Sequence, residues 1–199
     1  MLKPDEPAAE GHPLAPVDGW REWTRVDATA WIRVPTSADD KYTRGVLGVH
    51  TGSTLYPGAA VLGVEAAART GVGMVRYVGP DRAADLVLAR RPETVTVAGR
   101  VQAWLLGSGM DAAHRDDDTT AALRAALAEG VPCVVDAGAL DLVSRAPGAS
   151  PALVVTPHYR ELAALLGHHH VEVTAAEIAG DPGNWAVRAS AVLNATVLL

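Results

Sequence analysis

From Gly45 onward, short runs rich in β-branched residues alternate with longer runs of Ala, Leu and Arg. That alternation constrains the fold more than any other feature. Candidate strands are 46–49, 74–78, 94–97, 103–106, 132–135, 153–155 and 196–199. Candidate helices are 58–70, 82–90, 117–129, 139–143, 159–166 and 185–193. Strands separated by helices give a mostly parallel sheet covered by helices, an α/β fold. Apolar runs such as VPCVVD and ALVVTP suit strands buried on both faces. Such sheets bind ligands at the carboxyl ends of their strands, in the crevice where strand order reverses. The residues just after each strand are therefore where chemistry is to be sought.

The rest of the chain fits one domain of this kind. Its 199 residues, 49% apolar and 20% charged, are enough for a real core. A net charge of -6 argues against a nucleic-acid partner, which favours a basic face. The single cysteine, Cys133, lies in an apolar run and reads as a buried thiol with no disulfide framework. Residues 1–19 carry Pro4, Pro7, Pro13 and Pro16 among small and acidic residues and read as a flexible leader. They contain no apolar signal segment, and no run reaches membrane-spanning length, so a cytoplasmic protein with no membrane partner is expected. Trp20, Trp23 and Trp31 mark a short amphipathic segment expected to pack on the domain, which is read as 20–199.

Four strand ends carry the informative residues. After the first come Thr51-Gly52-Ser53 and then Pro57-Gly58-Ala59-Ala60. Pro57 suits a first helical turn. The small residues after it either leave bare helix N–H groups open to a polar ligand or let the helix pack tightly on the sheet. No lysine follows Lys41, so this is not a Walker phosphate loop, and no G-x-G-x-x-G follows the strand. Gly107-Ser108-Gly109 allows positive φ and close backbone approach. Asp136 could hold a metal through water, bond a ligand or cap a helix, with capping the default. In Thr156-Pro157-His158, Thr156 is expected to cap the next helix and Pro157 to occupy its first position. That presents His158, neutral and hydrogen-bonding, at a helix N-terminus. His168-His169-His170 lacks partners for a metal site, and Asp116-Asp117-Asp118 reads as an N-terminal charge cluster of a helix.

The segments KYTRGVLGVHTGSTLYPGAAVLGVEAAARTGVGMVRYV, LLGSGM, VVDAGALDLV and VVTPHYRELAALLG, in this order, closely resemble ADP/ATP-dependent NAD(P)H-hydrate dehydratases. These have a ribokinase-like fold and also occur as the second half of bifunctional repair enzymes. The resemblance covers about 22–199, and its specificity lies in the combination of PGAA, G-x-G, DAGAL and TPH-x-x-E. It implies dehydration of NADH or NADPH hydrated at C6, at the expense of ADP or ATP with Mg²⁺. Phosphoryl transfer to the hydroxyl would make a leaving group that the ring-nitrogen electrons expel, with positioning and charge stabilisation as the protein's task. It also implies that Ala59, Ala60, Gly109 and His158 contact the hydrated nicotinamide nucleotide. An epimerase domain or partner and a homo-oligomer are further expectations.

Three departures stand out. His50 and Thr51 replace the usual small residues before Gly-Ser, and Ser108 replaces a Pro between the glycines. The family's K-G-x-x-T and G-[TS]-G-D motifs, the second carrying the catalytic Asp, are absent from the 199 residues and would lie beyond Leu199. The expectation is thus an incomplete dehydratase domain, inactive by itself, with no catalytic residue inside it. Alternatives are a nucleotide-binding remnant without catalysis and a ribokinase-fold vitamin-precursor kinase. A parallel sheet ending on an uncovered apolar strand exposes an edge. The 199-residue chain is therefore expected to elute from a sizing column as an oligomer or to be poorly soluble. A monomer with a sharp cooperative melt would contradict that.

Overall fold

The computed structural model describes residues 19–144 and 152–199; the leader expected at 1–19 lies, apart from Gly19, outside them. The chain divides into two compact units, Met1–Arg33 and Val34–Leu199. In the first, α1 (Arg25–Thr29) is capped reciprocally. The Asp27 N–H donates to Thr24 Oγ1 at 3.3 Å and the Thr24 N–H donates to Asp27 Oδ2 at 2.9 Å, which satisfies two helix-start amides. The Trp23 and Trp31 rings lie 6.5 Å apart, centroid to centroid.

The second unit holds a parallel sheet with strand order β2-β1-β3-β4-β5-β6. The strands are β1 (Val46–His50), β2 (Met74–Tyr77), β3 (Ala103–Leu106), β4 (Cys133–Val135), β5 (Leu153–Val155) and β6 (Thr196–Val197). Helices α2 (Gly58–Arg69), α3 (Asp81–Arg90), α4 (Asp117–Ala128), α5 (Tyr159–His168), α6 (Ala175–Gly180) and α7 (Pro182–Leu193) connect them. Two apolar clusters form the core. One joins Val49, Val75 and Tyr77 to Ala60, Val64, Ala83 and Val87 of α2 and α3. The other joins Val46, Trp104, Leu106 and Val135 to residues of α4, α5, α6 and α7. A sheet covered on both faces is what the uninterrupted apolar runs demand. Cys133 is free and buried as expected, and burial pushes its thiol up to about 11.

Gly48 shows how tightly the middle of the sheet is filled. It pairs in register with Trp104, and a Cβ on it would lie 2.4 Å from the indole ring. The indole takes the space that a side chain would need, and its Nε1–H donates to Glu129 at 3.1 Å.

Beyond shifts of one or two residues at element ends, the structure departs from the sequence expectations in the following places. Residues 94–97 make no strand but one parallel bridge, from Val95 to Arg76 of β2; Val97 beyond it is 69% exposed. With solvent on one side, nothing rewards a longer pairing there. The helix expected at 139–143 is a 3₁₀ segment, Ala137–Leu142. Helix α6 was not expected, although Thr174 and Glu177 form a capping box that announces it. Helix α7 begins at Pro182, three residues earlier than expected, with Asp181 as its cap.

Helices α2 and α3 are clamped through one carboxylate. Glu65 meets Arg69 at 2.8 Å, Arg91 at 2.6 Å and Arg90 at 3.4 Å. Hydrogen bonds from Arg91 and then Arg69 lower its pKa from 4.5 to about 2. A carboxyl whose folded pKa is depressed stabilises the fold above its unfolded pKa and loses that contribution as pH falls through the folded value. Glu65→Gln is expected to melt below the unsubstituted chain at pH 7, with the gap closing between pH 4.5 and pH 2. Paired thermal melts across that range check it, and a gap independent of pH would contradict the clamp.

Candidate functional site

In this sheet β1 stands between β2 and β3, so the strand order reverses at the β1–β3 junction. The loops leaving the two strands are bonded to each other. The Gly107 N–H donates to the His50 carbonyl at 3.0 Å, and the Gly52 N–H donates to the Ser108 carbonyl at 2.7 Å. Residues 107–110 form a tight turn closed by the Met110 N–H donating to the Gly107 carbonyl at 3.0 Å. Gly109, with φ +72°, sits at the third position, where a type II turn requires positive φ. A Cβ on Gly109 would lie 2.3 Å from the Ala59 Cβ, and one on Gly52 would lie 3.0 Å from the Ala60 Cβ. The fold therefore brings Ala59, Ala60 and Gly109 together at the crevice. Ala60 is wholly buried beneath Gly52, while Ala59 is half-buried against the turn.

Of the two readings left open for the small residues at the start of α2, bare amides or tight packing, the Ala59 and Ala60 amides favour packing. The Ala59 N–H donates to the Tyr56 carbonyl at 3.3 Å and the Ala60 N–H to the Pro57 carbonyl at 3.2 Å. These tight-turn bonds satisfy donors that an anion would otherwise find. The small residues serve close packing of loop on helix instead. The loop is also tied from below: the Tyr77 hydroxyl donates to the Thr51 carbonyl at 2.7 Å.

Asp136 caps nothing with its side chain. Its carboxylate accepts the Ser108 hydroxyl at 2.8 Å. Nor does Thr156 cap α5; its hydroxyl faces the Val135 carbonyl at 3.5 Å. His158 is itself the cap. Its Nδ1 accepts the N–H groups of Arg160 at 3.2 Å and Glu161 at 3.3 Å, while Glu161 accepts the His158 N–H at 2.9 Å. An accepting Nδ1 places the proton of the neutral ring on Nε2. His158 does not join the Gly109 cluster; it borders a separate open hollow with Tyr159, Arg160 and Ala175.

A cleft of about 270 Å³ opens beside the turn. Residues 52–56 form one wall, and Asp111, His114, Asp116 and Thr119 face them. Sequence reasoning missed Asp111 and His114 and read Asp116 only as part of an N-terminal charge cluster. The visible signal was the run GSGMDAAHRDD, which puts three acids and a histidine directly behind the turn. Asp111 pairs with His114 Nδ1 at 2.7 Å, which with the Ala113 N–H lowers its pKa. Asp116 is held low by its bonds to Thr119, whose N–H donates at 2.7 Å. Arg115 lends the cleft little charge, because its buried side chain is forked onto Asp141 at 3.0 and 2.9 Å and also bonds the Gly138 carbonyl. Buried His50 has its pKa lowered by burial, with Asp116 partly opposing. The walls are thus rich in acceptors and suit a ligand group that donates hydrogen bonds, such as a carboxamide or hydroxyl. Among the described residues no cluster of His, Cys, Asp or Glu could hold a metal ion; the three consecutive histidines fall at the end of α5 and in the turn after it.

Gly109→Ala would force a Cβ into Ala59 at positive φ. A loss of about 1–3 kcal/mol in stability is expected. Chemical denaturation measures it, and the added change Ala59→Gly should recover part of the loss by removing the clash while leaving the φ strain.

The family model described as NAD(P)H-hydrate dehydratase matches residues 47–199. A bifunctional NAD(P)H-hydrate repair enzyme of Mycobacterium leprae is 44% identical over 150 residues, spanning 71% of this chain and 31% of that protein. An ADP-dependent (S)-NAD(P)H-hydrate dehydratase of Xanthomonas campestris is 32% identical over 165 residues, spanning 72% of this chain and 55% of that protein. The chain thus spans about a third of the bifunctional relative's length. Among solved structures, a Bacillus subtilis ADP/ATP-dependent NAD(P)H-hydrate dehydratase co-crystallised with ATP and Mg²⁺ superposes with a TM-score of 0.76 at 23% identity. That match covers 89% of this chain and 65% of the other. A ribokinase-like superfamily protein of Enterococcus faecalis superposes with a TM-score of 0.67 at 23% identity, covering 84% of this chain and 61% of the other. These superpositions bear out the ribokinase-like fold.

Proposed function

The chain belongs to the NAD(P)H-hydrate dehydratase family, and on that premise we propose that it holds the nicotinamide side of a repair reaction. The substrate is NADH or NADPH hydrated at C6, and the product is the restored dinucleotide. ADP, or ATP, is the energy source, with Mg²⁺. The observation that carries this reading is the Gly107–Met110 turn packed on Ala59 at the strand-order reversal, beside a cleft walled by acceptors. The missing Cβ of Gly109 lets the turn seat against Ala59, which fixes the rim of the cleft where the ring would lie. Asp111 and Asp116 offer oxygens to the carboxamide N–H groups and the C6 hydroxyl of the substrate. His158, farther along the same edge, carries an Nε2–H that lies 3.5 Å from Glu161 Oε2 and would have to turn from it to donate to a more distant part of the dinucleotide.

The described residues do not fit a metal cluster, and no G-[TS]-G-D sequence occurs among the 199 residues. No step through Mg²⁺ or the nucleotide donor is therefore assigned to these side chains. What they do is bind, orient and shield the hydrated ring. An epimerase that interconverts hydrate epimers, fused or separate, is the expected partner, and a homo-oligomer the expected assembly. No described helix is long and apolar enough to cross a membrane.

Calorimetry with the purified chain is expected to show binding of hydrated NADPH that neither hydroxymethylpyrimidine nor hydroxyethylthiazole displaces. Adding ADP and Mg²⁺ is expected to restore no reduced-nicotinamide absorbance. Displacement by either vitamin precursor would shift the reading to a kinase, and recovery of absorbance would show that these residues suffice for catalysis.

A further inference from the structure

We infer that Ser108 and Asp136 form a latch that sets the position of the ligand-side turn, so that Asp136 is a positioning residue of the site. Three strand ends meet there. The turn that leaves β3 is bonded through its backbone to the loop after β1, by Gly52 N–H to the Ser108 carbonyl at 2.7 Å. Toward β4 the turn has backbone crowding and one side-chain bond. Gly107, with φ +96°, lies against the Asp136 carbonyl, where a Cβ would come within 2.1 Å. The Ser108 hydroxyl donates to the Asp136 carboxylate at 2.8 Å.

The turn explains why a serine stands there. Ser108 occupies the second position of a turn whose third residue is a positive-φ glycine. Proline is favoured at that position because its ring presets φ and no N–H is needed. Among the described residues the Ser108 N–H donates no backbone hydrogen bond, so a ring would break none. Serine does not restrict φ in that way. The bond to Asp136 supplies the restriction from outside, tying the turn to the β4 rim. Asp136 is free for it because its carboxylate caps no helix, and its own N–H is held by the Leu106 carbonyl at 3.0 Å. Both partners are half-buried, where a hydrogen bond to a carboxylate is stronger than one in water.

The positioning role rests on the nicotinamide-side reading above; the latch itself does not. Two measurements on the full 199-residue chain separate them. Hydrogen exchange reads the Gly52 and Met110 amides, which report the turn's two backbone bonds without any ligand. Calorimetry reads the affinity for hydrated NADPH. Ser108→Ala and Asp136→Ala are each expected to speed exchange at both amides and to weaken binding about tenfold, the worth of one charge-assisted hydrogen bond. The double variant should be no worse than either single one. Ser108→Pro should restore slow exchange and affinity, a rescue that a general loss of stability would not produce. Unchanged exchange in Ser108→Ala would overturn the latch. Faster exchange with undiminished affinity would overturn the positioning role. If the unsubstituted chain binds no hydrated NADPH, the nicotinamide-side reading and the positioning role fall together, while the exchange data still decide the latch.

Discussion

The hydrogen bond from the Gly52 amide to the Ser108 carbonyl, at 2.7 Å, joins the two loops that diverge at the strand-order reversal. Most of the site follows from it. Held this closely, the loops leave no room for side chains, which is why Gly52 and Gly109 face Ala60 and Ala59 across gaps that a single added carbon would close. The start of α2 is drawn in beneath the loops. Its Ala59 and Ala60 amides then turn back onto the Tyr56 and Pro57 carbonyls instead of pointing outward. A chain with larger residues at 59 or 60 would have to separate the loops and open the crevice from below.

The same logic of removed side chains runs into the sheet. Gly48 yields its space to Trp104, and Gly138 yields to Met110, where a Cβ would lie 2.6 Å from the Met110 backbone. The crevice is therefore braced by large residues that enter from neighbouring elements. Tyr77 is part of this bracing, since its hydroxyl reaches from β2 to the Thr51 carbonyl, and burial raises its pKa. A phenol kept protonated in this way is a permanent donor to the loop.

The fold was legible because its signal is repeated. Strands β1 to β5 recur as short, largely apolar runs separated by helical segments, which is the pattern of a parallel sheet. What failed were elements whose state depends on neighbours. The segment 94–97 has strand-forming residues, but it lies at an edge with solvent beside it, and only Val95 pairs. Helix α6 is six residues long and too short to show a clear period, so only its cap gives it away. In the site, glycines and small residues were readable because tight packing restricts residue type. The Ser108–Asp136 bond was not, since polar side chains that meet across separate loops leave no spacing in the sequence, and the Asp111–His114 pair, three residues apart behind the turn, was passed over. His158 was correctly placed at the start of a helix, but its role as the cap was assigned to Thr156, because imidazole is an uncommon cap.

Strand order also has a temporal meaning. Pairing β1 with β2 joins Val46 to Met74 through one intervening helix, whereas pairing β1 with β3 joins Leu47 to Ala103 across the whole β2–α3 excursion. Loop-closure entropy makes the first pairing the easier to nucleate and the second the later to be rewarded. The crevice lies on the second seam. It is completed only when the less local pairing forms, so the part of the chain that meets its ligand is also among the last parts of this half of the sheet to acquire a defined shape.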